Sequence, residues 1–283
     1  MIQSTCIQYA DQERGERMAK GKKRWVFRLL MIILACIFLF SLYQVLRIWM
    51  EYRKCEKTYE ALTSYVELPQ TTSSGQTEGQ TDEMTETNDF IFVDFATLVQ
   101  QYPDVVAWVY LPDSTLNYPV VQGSDNEYYL THMVDGTINS AGSIFMDYRC
   151  DATFSDKHTI LYGHYMHNDS MFRSVARYQE QSYFDTHPVI QLATLEKQYK
   201  LVIFSAYVAT VDQNAWELYF SDDAQYAVWL KDISARSIIN TGVTPQTTDR
   251  VVTLSTCTSL AQEEKRVVVH AVLREVPSTD VES

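Results

Sequence analysis

Hydrophobic side chains follow three different rhythms along this chain. From Leu29 to Leu46 no residue is charged, and Trp25, Val26 and Phe27 before this run and Ile48 and Trp49 after it extend the apolar segment. That reaches the ~20 residues that cross a hydrocarbon core, so residues 25–46 read as a transmembrane helix; a buried core helix rarely runs so long without a charge. Arg28 and Arg47 can snorkel to the two interfaces, with Trp25, Tyr43 and Trp49 as aromatic anchors. Residues 47–68 keep a helical period with little apolar area and read as a helical stalk. Residues 69–88 hold no aromatic, no basic and no β-branched aliphatic side chain, so 69–89 read as a flexible polar tether. From Phe90 the pattern turns globular, and residues 90–283 suffice for one well-packed domain.

Within that domain the rhythm shortens to β-rich runs broken by turn residues: 105–111, 142–148, 158–164, 188–195, 199–209, 250–257 and 266–273. Asp94 can cap a short helix, FATLVQQY, that stops before Pro103. Two longer helical stretches are expected at 170–179 and 222–239, the second with apolar residues at helical spacing. Many short strands with a few inserted helices predict a mainly β fold, a closed or nearly closed antiparallel barrel.

Charge adds a direction to this picture. The chain carries a formal −13, but residues 1–28 are net +4 and the remainder −17. The acidic body argues against a nucleic-acid partner. The basic residues Lys20, Lys22, Lys23, Arg24 and Arg28 crowd one flank of the apolar run, which keeps residues 1–24 in the cytoplasm and sends the body outside. The run is long and its exit bulky, with no small-x-small cleavage site, so it reads as an uncleaved, single-pass signal anchor. Of five cysteines, Cys6 is then cytoplasmic and Cys36 lies in the membrane. Cys55, Cys150 and Cys257 remain outside, an odd number that cannot all pair internally.

Candidate chemistry gathers near the C-terminus. Cys257 ends one β-rich run and Arg266 begins the next, so a loop joining antiparallel neighbours brings thiol and guanidinium to one rim. A fixed cation favours thiolate and can hold an oxyanion. The alternatives are a small buried cysteine and a strand-edge charge. His164 ends the run TILYGH, where a strand opens into a loop and Gly163 permits close backbone approach; a histidine there can serve as acid or base. His158, His164 and His167 lack an acidic or cysteine partner at ligand spacing, so no metal is expected. His270 lies four residues along the strand from Arg266, roughly 13 Å away at strand rise, and reads as structural.

The strand TLSTC ending at Cys257, the segment ILYGHYMHNDSMF around His164 and Arg266 opening RVVVHAVL together resemble the signature of sortases, with class B nearest. FATLVQQYPDVVAWVYLPDSTLNYPVVQGSDNEYYL, the GSIFMDYR run and the helix-forming insert at 222–239 are also similar to class B, so the resemblance covers about residues 90–275. It implies an eight-stranded sortase-type β-barrel with inserted helices and cysteine transpeptidation at the outer face of a Gram-positive membrane, with no cofactor. Carried over, Cys257 is the nucleophile, His164 the acid/base and Arg266 the oxyanion and substrate stabiliser. Asn126, Leu130, Ser255 and Thr256 match positions lining the sorting-peptide groove. The implied partners are surface proteins or pilins bearing a sorting signal, and an amine of a lipid-linked peptidoglycan precursor or of a pilin. Thr258, Ser259, Leu260 and Ala261 stand where the family often has an acidic residue, so no carboxylate is assigned to orient His164. An L,D-transpeptidase would carry a Ser-His-Gly-Cys-type run, which is absent. A non-catalytic tethered barrel would bury an inert Cys257.

Overall fold

Val, Ile, Thr and Tyr crowd the short runs of this chain and turn residues separate them, a composition that fits pleated strands buried on at least one face. In this computed structural model the backbone is described for residues 2–69, 90–257 and 264–277, and side chains for residues 25, 27–69, 90–256 and 264–277. The chain divides into two compact units, residues 1–54 and 55–283. Helix α1, Ile2–Leu62, begins in the first. Its apolar stretch has a mean hydropathy of 2.6 with none of that window buried, long and apolar enough to cross a membrane.

The second unit starts with the end of α1. Cys55, Tyr59 and Leu62 are buried there, so the segment expected as a stalk contributes these three side chains to a packed core. The Tyr59 hydroxyl donates to the Gly142 carbonyl at 2.9 Å, and its ring meets Tyr118 edge-on at 5.1 Å. Gly142 has a φ of +56°, and a Cβ there would come within 2.5 Å of the Tyr129 carbonyl oxygen, so the turn accepts no side chain. Strands β1 (Val66–Glu67) and β2 (Phe92–Val93) pair antiparallel. Residues 70–89, where the tether is expected, lie outside the described residues. Helix α2 (Phe95–Gln101) follows as expected, with the Asp94 carboxylate accepting from the Thr97 N–H at 3.1 Å.

The remaining strands are β3 (Val105–Tyr110), β4 (Asn117–Val121), β5 (Ile144–Met146), β6 (His158–Tyr162), β7 (Val189–Thr194), β8 (Gln198–Thr210), β9 (Val251–Cys257) and β10 (Lys265–Glu275). They close into an eight-stranded barrel in the order β10-β8-β7-β3-β4-β5-β6-β9. The barrel is mixed rather than wholly antiparallel, because β4–β5 and β6–β9 pair in parallel. Parallel neighbours need a long crossover. Residues 122–143, with the short helix α3 (Tyr128–Thr131), supply the first. Everything between β6 and β9 supplies the second, including α4 (Gln181–Thr186) and α5 (Asp223–Ala235).

Strand β4 is absent from the expected runs because Pro119 interrupts its pattern. The proline is tolerated where β5 has not yet begun: β5 pairs with Val120 and Val121, so the missing N–H of Pro119 need not face a ladder partner. The helix expected at 170–179 is instead a 3-10 turn over Val175–Gln179 followed by α4. Asp169 and Met171 have φ of 60° and 56°, which no α-helix contains. Helix α5 matches the first part of the expected 222–239 segment. The Asp222 carboxylate caps the Gln225 N–H at 2.8 Å, and Tyr226, Trp229, Leu230 and Ile233 form its buried stripe. That stripe packs on Phe204, Tyr207, Val251 and Val268 of the barrel wall. Val252, Leu254, Val267 and Val269 alternate with this set and are equally buried. Strands covered on both faces read as near-continuous apolar runs, which is why VVTL and RVVVHAVL lack clean alternation.

Candidate active site

Strand direction decides which ends of the chain meet. β6 and β9 are parallel and adjacent, so both run toward one rim of the barrel; β10 is antiparallel to β9 and starts from that rim. Tyr162 pairs with Ser255, and the N–H of the next residue, Gly163, donates to the Ser255 carbonyl at 3.2 Å. His164 therefore leaves β6 as β9 reaches its last residues. On the other side the backbone of Cys257 lies directly opposite that of Arg266. His164, Cys257 and Arg266 thus come from three neighbouring strands at one rim. The Cys257 side chain and residues 258–263 lie outside the described residues.

Gly163 is needed locally. A Cβ at this position would stand 2.6 Å from Cγ of the fully buried Phe172 ring, and the Phe172 N–H donates to the His164 carbonyl at 3.0 Å. The His164 ring is half-buried, with Nε2 at 2.7 Å from the Leu130 carbonyl oxygen. A carbonyl only accepts, so Nε2 carries the hydrogen and Nδ1 is the position at which the ring gains or loses a second proton. Leu130 thus meets His164 through its backbone, while its side chain is exposed.

Arg266, Tyr162, Ser255, Val211 and Trp216 line a cavity of about 320 Å³ at the same rim. Val211 and Trp216 come from the connection after β8, and the Trp216 indole donates to the Ser255 hydroxyl at 3.1 Å. Ser255 and Thr256 both belong to β9 and are both buried, but successive residues of a strand face opposite ways. Ser255 shares the cavity with Arg266. The Thr256 hydroxyl is buried without a hydrogen-bond partner among the described residues. Asn126 stands before α3 with both ends of its amide engaged. Nδ2 donates to Asp147 at 2.9 Å, and Oδ1 accepts from the Tyr148 N–H at 3.0 Å.

Three residues at or bonded to this rim are not among those expected from the sequence, Asp147 reaching it through the Tyr162 hydroxyl at 3.1 Å. Tyr162 precedes His164 by two positions, a same-face signal that could have found it. Trp216 sits in an aperiodic connection, and Asp147 in a turn that reads as surface; neither carries a local signal.

Other titratable groups are diverted elsewhere. The His158 ring is fully buried, with Nδ1 on the Glu217 carbonyl and Nε2 on the Thr253 hydroxyl, each at 2.6 Å. Burial pushes the Cys55 and Cys150 thiols up to about 11, which leaves both as inert thiols at neutral pH. Among the described residues no three His, Cys, Asp or Glu side chains gather as metal ligands do.

The sortase domain family matches residues 109–274. The chain is 30% identical to sortase B of Staphylococcus aureus (strain NCTC 8325 / PS 47) over 250 residues, 88% of this chain and 96% of that protein. Among solved structures, a Staphylococcus aureus sortase B–substrate complex superposes with a TM-score of 0.62 at 36% identity, covering 65% of this chain and 85% of that one. A sortase B from Bacillus anthracis superposes with a TM-score of 0.67 at 32% identity, covering 81% and 100%.

Proposed function

The chain belongs to the sortase family, in its class B, and is a cysteine transpeptidase; from that premise we propose that it cleaves the C-terminal sorting signal of a surface protein or pilin and transfers the new acyl end to an amine of peptidoglycan or of a pilin. The Cys257 thiolate attacks the carbonyl of the Thr before the scissile bond. The guanidinium of Arg266 donates to the oxyanion that develops. Protonated His164 gives its proton to the departing amine as the C–N bond breaks, leaving a thioester on Cys257. The acceptor amine then attacks that thioester, His164 takes the proton it loses, and the new amide departs as the C–S bond breaks and the Cys257 thiolate is restored.

One observation carries this reading: three adjacent strands bring His164, Cys257 and Arg266 to one rim, where Arg266 lines a cavity walled by Tyr162, Ser255 and Trp216. The Leu130 carbonyl supports the role of His164 by holding Nε2–H and leaving Nδ1 for the transferred proton. The likeness to a Staphylococcus aureus sortase B–substrate complex supports a peptide at the equivalent face. The apolar part of α1 supports a single-pass anchor over residues 25–46, with residues 1–24 cytoplasmic and the catalytic unit outside.

The test incubates the full-length protein in detergent micelles with quenched peptides, each holding a Pro and a Thr before the scissile bond, together with hydroxylamine. A hydroxamate product that disappears in folded Cys257→Ala, His164→Ala and Arg266→Ala variants is the expected result. A folded wild-type chain that turns over no peptide, or a Cys257→Ala variant that still does, would overturn the reading.

A further inference from the structure

Asp147 follows the last residue of β5 and is fully buried. A buried carboxylate needs compensation, and Arg149 provides it two residues later: Nε to Oδ1 at 2.9 Å, Nη2 to Oδ2 at 2.8 Å, and its backbone N–H to Oδ1 at 3.1 Å. That fork would suffice for an ordinary structural ion pair. Yet Oδ2 accepts two further donors, Nδ2 of Asn126 at 2.9 Å and the hydroxyl of Tyr162 at 3.1 Å. Burial by itself would raise this carboxyl; the donors of Arg149 and Asn126 outweigh it and hold the group below the ordinary carboxylate range.

One extra donor lines the candidate site and the other begins the turn that leads to it. Tyr162 lines the cavity beside Arg266 and stands two residues before His164. Asn126 sits in a tight turn in which the Asp125 carboxylate accepts from the N–H groups of Glu127 and Tyr128, each at 2.8 Å, and the Leu130 N–H donates to the Glu127 carbonyl at 3.1 Å. A segment bonded in this way moves as one piece, and its far end is the carbonyl that holds Nε2 of His164. Because Asn126 spends Oδ1 on Tyr148 as well, its amide has one orientation.

We propose that Asp147 is a positioning residue of the transpeptidase site, holding through Asn126 the turn whose Leu130 carbonyl orients His164 and through Tyr162 the adjoining wall of the cavity. The inference rests on the assignment of His164 as the acid/base. It gives Asn126 the task of fixing the turn rather than of touching the peptide.

The test is steady-state cleavage with hydroxylamine, by the full-length protein in micelles, for wild type, Asn126→Ala, Tyr162→Phe and Asp147→Asn. Asn126→Ala cuts one tie and leaves the Arg149 ion pair intact. It should lower kcat about tenfold, leave KM within about twofold, and move the limb of the kcat–pH profile that reports His164. Tyr162→Phe keeps the ring and removes only its hydroxyl, and should raise KM about fivefold. Asp147→Asn, where circular dichroism shows it folded, should combine both defects; where it does not fold, the other two variants decide. An Asn126→Ala variant that changes KM alone would mean that its amide contacts the peptide and would sink the proposal. Wild-type values of kcat, KM and pH profile in both single-tie variants would do the same. Wild-type inactivity is a separate outcome, because it removes the transpeptidase reading itself.

Discussion

Gly163 shows how little room the rim beside His164 leaves for variation. Its missing Cβ is what lets β6 pass the Phe172 ring before His164 turns out of the strand. Gly163→Ala should therefore destabilise the fold by about 1–3 kcal/mol, since the fully buried ring has nowhere to retreat, and should also lower activity by displacing His164. Thermal melts set beside peptide cleavage would check this; an alanine variant equal to wild type in both would contradict it. The cysteines make a second test at this scale. Cys55 and Cys150 are buried free thiols raised to about 11, so a charged thiol reagent added to the protein in micelles should label neither in the native state. Mass spectrometry finding either labelled before unfolding would contradict that. That Cys257, His164 and Arg266 stand where β-rich runs start or stop is legible in the sequence, while their grouping as one candidate site comes from the resemblance to sortases. Asp147 is not, because a carboxylate beside an arginine in a turn has the same letters whether buried or exposed. Only the folded arrangement shows Asn126 and Tyr162 converging on it.

At the scale of elements, strand direction and helix cover do most of the organising. The runs that form β3 and β5–β10 are visible as apolar stretches between turn residues, and α2 and α5 by their caps and periodicity. The parallel pairing of β6 with β9 is not visible, because the two strands are separated by residues 163–250 and no local pattern encodes a partner so distant. Beneath α5 lies a chain of hydrogen bonds that couples these elements to acidity. The Tyr207 hydroxyl meets His270 Nε2 at 3.2 Å, His270 Nδ1 meets the Thr253 hydroxyl at 2.7 Å, and that hydroxyl meets His158 Nε2 at 2.6 Å. The chain ends on the Glu217 carbonyl, to which His158 Nδ1 donates, and every ring nitrogen has a partner with both rings neutral. Burial pushes His158 down to about 4 and His270 well below its ordinary value, with Arg236 and the other ring also disfavouring charge at His270. An unfolded chain binds these protons near the usual histidine range while the folded one does not. Stability should therefore be full above about pH 6.5 and decline as pH falls from there toward 4, by on the order of 1 kcal/mol per pH unit for each histidine. Melting temperatures measured between about pH 7 and pH 5 would show the slope, and a flat profile would contradict it.

Across the whole molecule, charge segregation and one apolar helix long enough to cross a membrane divide the chain into a basic head, an apolar segment and an acidic body, a pattern readable from the order of residues alone. The boundary of the body is less readable. Cys55, Tyr59 and Leu62 look like part of a polar stalk because a helix burying one residue in three or four has little apolar area on average. β1 and β2 are two residues each, too short to register as strands. They matter for reach, because they place Glu67 beside Phe92 and so bring together the two ends of the segment between them. Replacing residues 71–88 by a few glycines and serines should leave peptide cleavage, and attachment of substrates in cells, close to wild type. Loss of attachment with cleavage intact would show instead that this stretch acts as a spacer. A stretch of chain whose two ends are clasped side by side adds no distance between them, so lengthening it should carry the enzyme no further toward its substrates.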